Sequence, residues 1–129
     1  MIASSYLLES NDPGNWLCDR ATYMQSIISG SGVQVATGGI GGSQYYGHEY
    51  NLLAKALDCD AINITSIHGY MATEKQWTPY VPALSDKAEA AGKLAMIEEW
   101  GVTTTLTDDS VSIQAELFNK YGVPWVSCL

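Results

Sequence analysis

Short apolar stretches recur along this chain about thirty residues apart, at 33–37, 61–67, 94–98 and 123–127. Between them the apolar residues take helical spacing, and turn-forming residues punctuate each change. Parallel strands cannot be joined by a hairpin turn and need a crossover of a dozen residues or more, usually a helix. The pattern therefore predicts an α/β fold with a parallel sheet. The third stretch says most about chemistry. It is apolar from Leu94 to Ile97 and then ends in Glu98-Glu99-Trp100-Gly101. In α/β sheets the carboxyl ends of the strands are where ligands bind, so two carboxylates placed there mark a candidate site.

The rest of the chain falls into order around that frame. Residues 1–8 form a short apolar segment, and Asn11-Asp12-Pro13-Gly14 reads as a turn. Asn15 is placed to cap a helix over 16–29, with Leu17, Ala21, Met24, Ile27 and Ile28 along one face. The strand at 33–37 leads into Gly38-Gly39-Ile40-Gly41-Gly42. That loop lacks the Lys-Ser/Thr of a phosphate cradle and is better suited to close backbone approach at a site mouth. Helices are expected near 50–57, 82–91 and 108–120, the last with acids at its N-terminus. The segment carrying Trp77 reads as a polar loop.

Composition excludes several functions. The chain has 129 residues, 47% of them hydrophobic, enough to bury a core as one domain over 1–129. Six basic residues against fourteen acidic ones give a formal charge of −8, which argues against nucleic acid or an anionic membrane as partner. A neutral sugar is compatible with that charge. No run approaches the roughly 18 apolar residues of a membrane span. Residues 1–10 lack the basic and long apolar regions of a signal peptide. Three cysteines without a Cys-x-x-Cys or His-x-x-x-His spacing suggest no metal centre, and nothing calls for a cofactor. If the helix carrying Cys18 follows a strand, Cys18 lies at the site end of the sheet, and Cys59, just before a strand, at the opposite end, too far away to form a disulfide.

Four motifs in succession carry a resemblance: Asn11-Asp12-Pro13, His68-Gly69-Tyr70, Glu98-Glu99-Trp100-Gly101 and Val123-Pro124-Trp125. In order and spacing they resemble strands four to eight of glycoside hydrolase family 5, retaining enzymes of clan A, and most of all its fungal, mannanase-like members. The resemblance implies a parallel (β/α) half-barrel, part of a TIM barrel whose first three strands are absent from this chain. A small open, doubly wound sheet is the alternative that needs no missing half. Edges left by a half-barrel would favour self-association.

The resemblance also implies roles. The family's nucleophile immediately precedes an aromatic-Gly pair, which falls on Glu99; Glu98, its neighbour in a strand of period two, should face away. Asp12 stands at the acid/base position, where the family has Glu, and is shorter by about 1.5 Å. Glu9 is a fallback acid in a poorer register. Asn11 would bond the sugar, His68 and Tyr70 would sit beside the nucleophile, and Trp77 and Trp100 would offer stacking faces. The position of the family's Trp platform holds Cys128. The expected function is hydrolysis of a plant or fungal cell-wall polysaccharide, mannan or β-glucan, outside the cell. A non-catalytic fragment or carbohydrate-binding remnant is the alternative.

Overall fold

The computed structural model describes residues 14–41, 52, 54–102 and 108–127. Their elements run, in order, helix α1 (Trp16–Ile28), strand β1 (Ile40–Gly41), α2 (Ala54–Leu57), β2 (Ile64–Gly69), α3 (Glu74–Trp77), α4 (Tyr80–Ala90), β3 (Leu94–Trp100), α5 (Asp108–Lys120) and β4 (Trp125–Ser127). The strands make a sheet in the order β1-β2-β3-β4, and every neighbouring pair is parallel. This is the expected α/β architecture: each strand lies beside the next in sequence, with helix-bearing crossovers between them.

One face of β2 and β3 is the core. Ile67 and Ile97 are buried there with Val81 and Leu84 of α4 and with Leu117 and Phe118 of α5. Phe118, the chain's one phenylalanine, meets the indole of Trp77 edge-on at 5.1 Å and that of Trp100 at 4.8 Å. Trp100 in turn meets Trp125 edge-on at 5.4 Å. Such perpendicular ring pairs add about 0.5–1.5 kcal/mol each to the area they bury.

Trp77 belongs to α3, a single helical turn where the sequence suggested a polar loop. The signal was present in Thr73-x-x-Gln76, whose side chains and backbones satisfy each other as a capping box. The turn delivers the indole inward. Its Nε1–H donates to Gln114 Oε1 at 2.7 Å, and Gln114 Nε2 donates to the Met71 carbonyl at 3.1 Å. Gln114 is buried with its polar atoms used on both sides.

The sheet starts differently from expectation on its β1 side. Residues 33–37 run along β2 but pair with it only at the Ala36–Ile64 bridge. Hydroxyls then replace the ladder: Ser66 N–H donates to Thr37 Oγ1 at 3.0 Å, and Gly39 N–H donates to Ser66 Oγ at 2.8 Å. Regular pairing resumes only at Ile40 with Ile67. Residues 61–63, expected in β2, form its approach. Ile62 N–H closes a turn on the Cys59 carbonyl at 3.0 Å, and Asn63 Oδ1 accepts from Val35 N–H and from Gln25 Nε2.

Three further expectations are corrected at α1 and its surroundings. Asn15 precedes the helix but takes left-handed backbone angles (φ 54°) and makes no side-chain capping bond. Met24 and Ile27, placed by spacing on the core face, are 50% and 65% exposed, while Ala21 is buried. Cys18 and Cys59 are disulfide-bonded, with Cα atoms 5.7 Å apart. A Cys directly under the strand that follows it would lie at the far end of the sheet from α1. The turn at 59–62 instead folds toward α1, whose Gln25 donates to the Ala61 carbonyl at 3.2 Å. Ala21, Val35, Ala56, Cys59 and Ile62 form a second apolar cluster around the bridge.

Candidate functional site

The site is built on an irregularity in β3. From Ile64 opposite Leu94 to Ile67 opposite Ile97, β2 and β3 advance together. At the next step His68 stands opposite Glu99, so Glu98 is an extra residue and two carboxylates answer one imidazole. β4 sees the same extra residue, since Ile97 pairs with Trp125 and Trp100 with Ser127. This is a β-bulge, a device that re-aims side chains and is common beside active sites. Ile97 and Trp100 both lie in the core, so the two residues between them turn together to the other face. The expectation that Glu98 and Glu99 point to opposite faces rested on unbroken period two, and the bulge breaks it.

Both carboxylates reach His68. Its Nδ1 lies 3.1 Å from Glu99 Oε2, and its Nε2 is hydrogen-bonded with Glu98 Oε2 at 3.4 Å. The Tyr70 hydroxyl donates to Glu99 Oε1 at 2.7 Å. His68 and Tyr70 sit two residues apart at the end of β2, and they meet Glu99 from one side of it. The side chains of His68 and Glu98 are about one-fifth exposed (21% and 22%), and that of Glu99 is 42% exposed. Tyr70 is 57% exposed. Glu99 is thus a solvent-reached carboxylate at the carboxyl edge of the sheet, one oxygen bonded to a phenol and the other beside an imidazole. Chemically it can serve as a nucleophile or a general base.

The Gly-rich loop meets this site by close backbone approach, as its composition suggested. A Cβ on Gly39 would stand 2.6 Å from Nε2 of His68, a distance no side chain tolerates. Gly69 plays a parallel part behind the sheet, where a Cβ would lie 2.7 Å from Cη2 of Trp77.

The two indoles expected as stacking platforms are not available as such. Trp77 and Trp100 are both 0% exposed, closed over by Phe118 and each other's neighbours. A Trp next to a strand end here fills the layer between sheet and helices. Asn11 and Asp12 lie outside the described residues, as do Glu9 and Cys128. Among the described residues no group of His, Cys, Asp and Glu side chains could hold a metal ion. No helix of the described residues is long and apolar enough to cross a membrane. The feature that sequence reasoning missed is Glu98 as a site residue, and only the pairing register shows it.

No protein-family profile matches the sequence, and no curated protein is similar to it. Solved structures are. The hyperthermostable endo-1,4-β-D-mannanase from Thermotoga petrophila RKU-1, determined with maltose and glycerol, superposes with a TM-score of 0.62 at 16% identity. The match covers 87% of this chain and 38% of that one. An X-ray structure of the endo-β-1,4-mannanase from Thermotoga petrophila also gives 0.62, at 17% identity, over 88% of this chain and 30% of that one. At these identities the likeness establishes the fold, an arrangement of strands and helices found in mannanase barrels. The chain spans 38% and 30% of the lengths of these two structural relatives.

Proposed function

We propose that the chain carries the nucleophile-bearing part of a retaining β-glycoside hydrolase of family 5. Its substrate would be a plant or fungal cell-wall polysaccharide such as mannan or β-glucan. The observation that carries this reading is the setting of Glu99. A carboxylate at the carboxyl edge of a parallel sheet accepts a phenolic hydrogen bond at 2.7 Å and has an imidazole nitrogen at 3.1 Å. Retaining glycosidases need one carboxylate that attacks the anomeric carbon and a second, about 5–5.5 Å away, that protonates the departing oxygen. Glu99 takes the first role. Donation from Tyr70 holds the carboxylate in place. Asp12 takes the second role, by its place in the motif order, and then acts as base on the water that releases the sugar.

The location proposed is outside the cell, and the Cys18–Cys59 bridge supports it because disulfides persist in oxidising compartments. The second reading is a non-catalytic remnant that retains the fold. Burial of Trp77 and Trp100 favours it, since neither indole can present a face to a sugar ring.

The test compares wild type, Glu99→Gln and Asp12→Glu on mannan, β-glucan and an activated aryl β-glycoside. The hydrolase reading expects wild-type turnover that Glu99→Gln abolishes and Asp12→Glu raises. A displacement of about 1 Å in a reacting group can cost about 10²-fold in rate, which bounds the gain. Turnover that survives Glu99→Gln overturns the assignment, and absence of turnover in all three supports the remnant.

A further inference from the structure

Two-carboxylate chemistry has no use for Glu98, yet the chain adds a residue to its central strand to bring that side chain to the site. We propose that Glu98 is a positioning residue: its carboxylate accepts the Nε2–H of His68 and fixes the ring so that Nδ1 faces Glu99. For its catalytic meaning this rests on reading Glu99 as the reacting carboxylate, while the ring geometry stands apart from it.

The geometry leaves the ring one productive orientation. Nε2 is hydrogen-bonded with Glu98 Oε2 at 3.4 Å, and Nδ1 stands 3.1 Å from Glu99 Oε2. A half-turn of the imidazole would exchange Nδ1 with Cδ2 and put a carbon where Nδ1 now faces Glu99. Movement toward β1 is blocked, because the Gly39 backbone lies against the Cδ2–Nε2 edge, where a Cβ would be 2.6 Å from Nε2. An ionised carboxylate only accepts hydrogen bonds, so the Glu98 contact places a proton on Nε2. A neutral ring would then turn a lone pair toward Glu99. Whatever the protonation of Nδ1, a ring held this way keeps that nitrogen 3.1 Å from Glu99 Oε2. The bulge thus gives the imidazole a carboxylate on each side.

The test is nitrogen-15 spectroscopy of the full chain. The chain has two histidines, His48 and His68, so His48→Gln leaves one set of ring signals to assign. In the wild type Nε2 carries the proton, and a ring protonated only at Nδ1 overturns the proposal without any variant. Glu98→Ala is expected to lose the protected Nε2 proton. Glu98→Gln, whose amide oxygen can accept the same bond, is expected to keep it. Loss in both variants, or in neither, overturns the proposal. Kinetics on an aryl β-glycoside give the second readout: kcat falls by about 10- to 100-fold in Glu98→Ala, KM changes by less than about twofold, and Glu98→Gln recovers most of the loss. An unchanged kcat in Glu98→Ala overturns the catalytic part. Activity that survives Glu99→Gln defeats the hydrolase reading instead, and leaves the ring measurement to decide the role of Glu98.

Discussion

Tyr70 directly follows β2 and Glu99 lies in the neighbouring parallel strand β3, and the hydroxyl of the first meets a carboxylate oxygen of the second at 2.7 Å. The contact depends on the bulge, because an unbroken ladder would set Glu98 opposite His68 and shift Glu99 by one position. Removing the hydroxyl with Tyr70→Phe takes away a hydrogen bond to a charged group. In a partly exposed setting that is expected to lower kcat/KM on an aryl β-glycoside about tenfold, equivalent to about 1.4 kcal/mol. Stability should change by less than about 0.5 kcal/mol, since Tyr70 is 57% exposed and outside the core. Urea denaturation and steady-state kinetics together check this. A variant that loses stability but keeps its rate contradicts it.

Gly39 and Gly69 offer a matched pair of substitutions. Each lacks room for a methyl group, Gly39 against His68 and Gly69 against Trp77. Both Gly→Ala changes should cost about 1–3 kcal/mol, the usual penalty for overpacking. They should differ in what else they disturb. Gly39→Ala is expected to shift the ring signals of His68, and Gly69→Ala to alter tryptophan emission while leaving those signals in place.

Gln114 provides a direct check that Trp77 is a core residue. Gln114→Leu keeps the volume but leaves the Trp77 N–H and the Met71 carbonyl without partners. Each buried group so stranded costs about 1–3 kcal/mol. A loss of that size in a urea titration is expected. A neutral result would mean that the indole reaches water.

The bridge between Cys18 and Cys59 spans 41 residues of sequence. Loop-closure arguments give such a cross-link about 4 kcal/mol, with typical measured values of about 2–4. Reduction, or Cys18→Ser with Cys59→Ser, should lower stability by that amount. The unfolded, unreduced chain should titrate two thiols fewer than the reduced one.

Helix α1 leaves Trp16, Tyr23, Met24 and Ile27 at least half exposed on one side. Their spacing puts them within one helical face. We propose that this face drives association with a second copy of the chain. Size-exclusion chromatography should show a dimer or larger species, and Trp16→Ser with Ile27→Ser should shift it toward monomer. A wild-type monomer at micromolar concentration would end the idea.

What could be read in the sequence was whatever follows a period. The acids of Asp108-Asp109 at one end and Gly122 past the other gave α5 its bounds, and the run from Leu94 to Ile97 gave β3 its beginning. The approach of His68 and Tyr70 to Glu99 followed from motif order. What could not be read depended on departures from period. Nothing in Glu98-Glu99 tells a bulge from a regular strand end, because the extra residue is defined only against its partners in β2 and β4. Cys59 was misplaced for a related reason: a turn's direction is set by what it packs on, here α1. Trp77 went inward because Gln114, 37 residues later, accepts its N–H.

The bulge also makes the central strand tolerant of a change in length at one point. Deleting Glu98 would bring Ile97 and Trp100 to a separation of two, the repeat of an ordinary strand, and both could stay in the core. Deleting a residue at Ala95 or Met96 would instead invert the side chains that precede it. A single lost or gained codon at this point would therefore subtract or add a carboxylate without inverting the side chains of the rest of the strand.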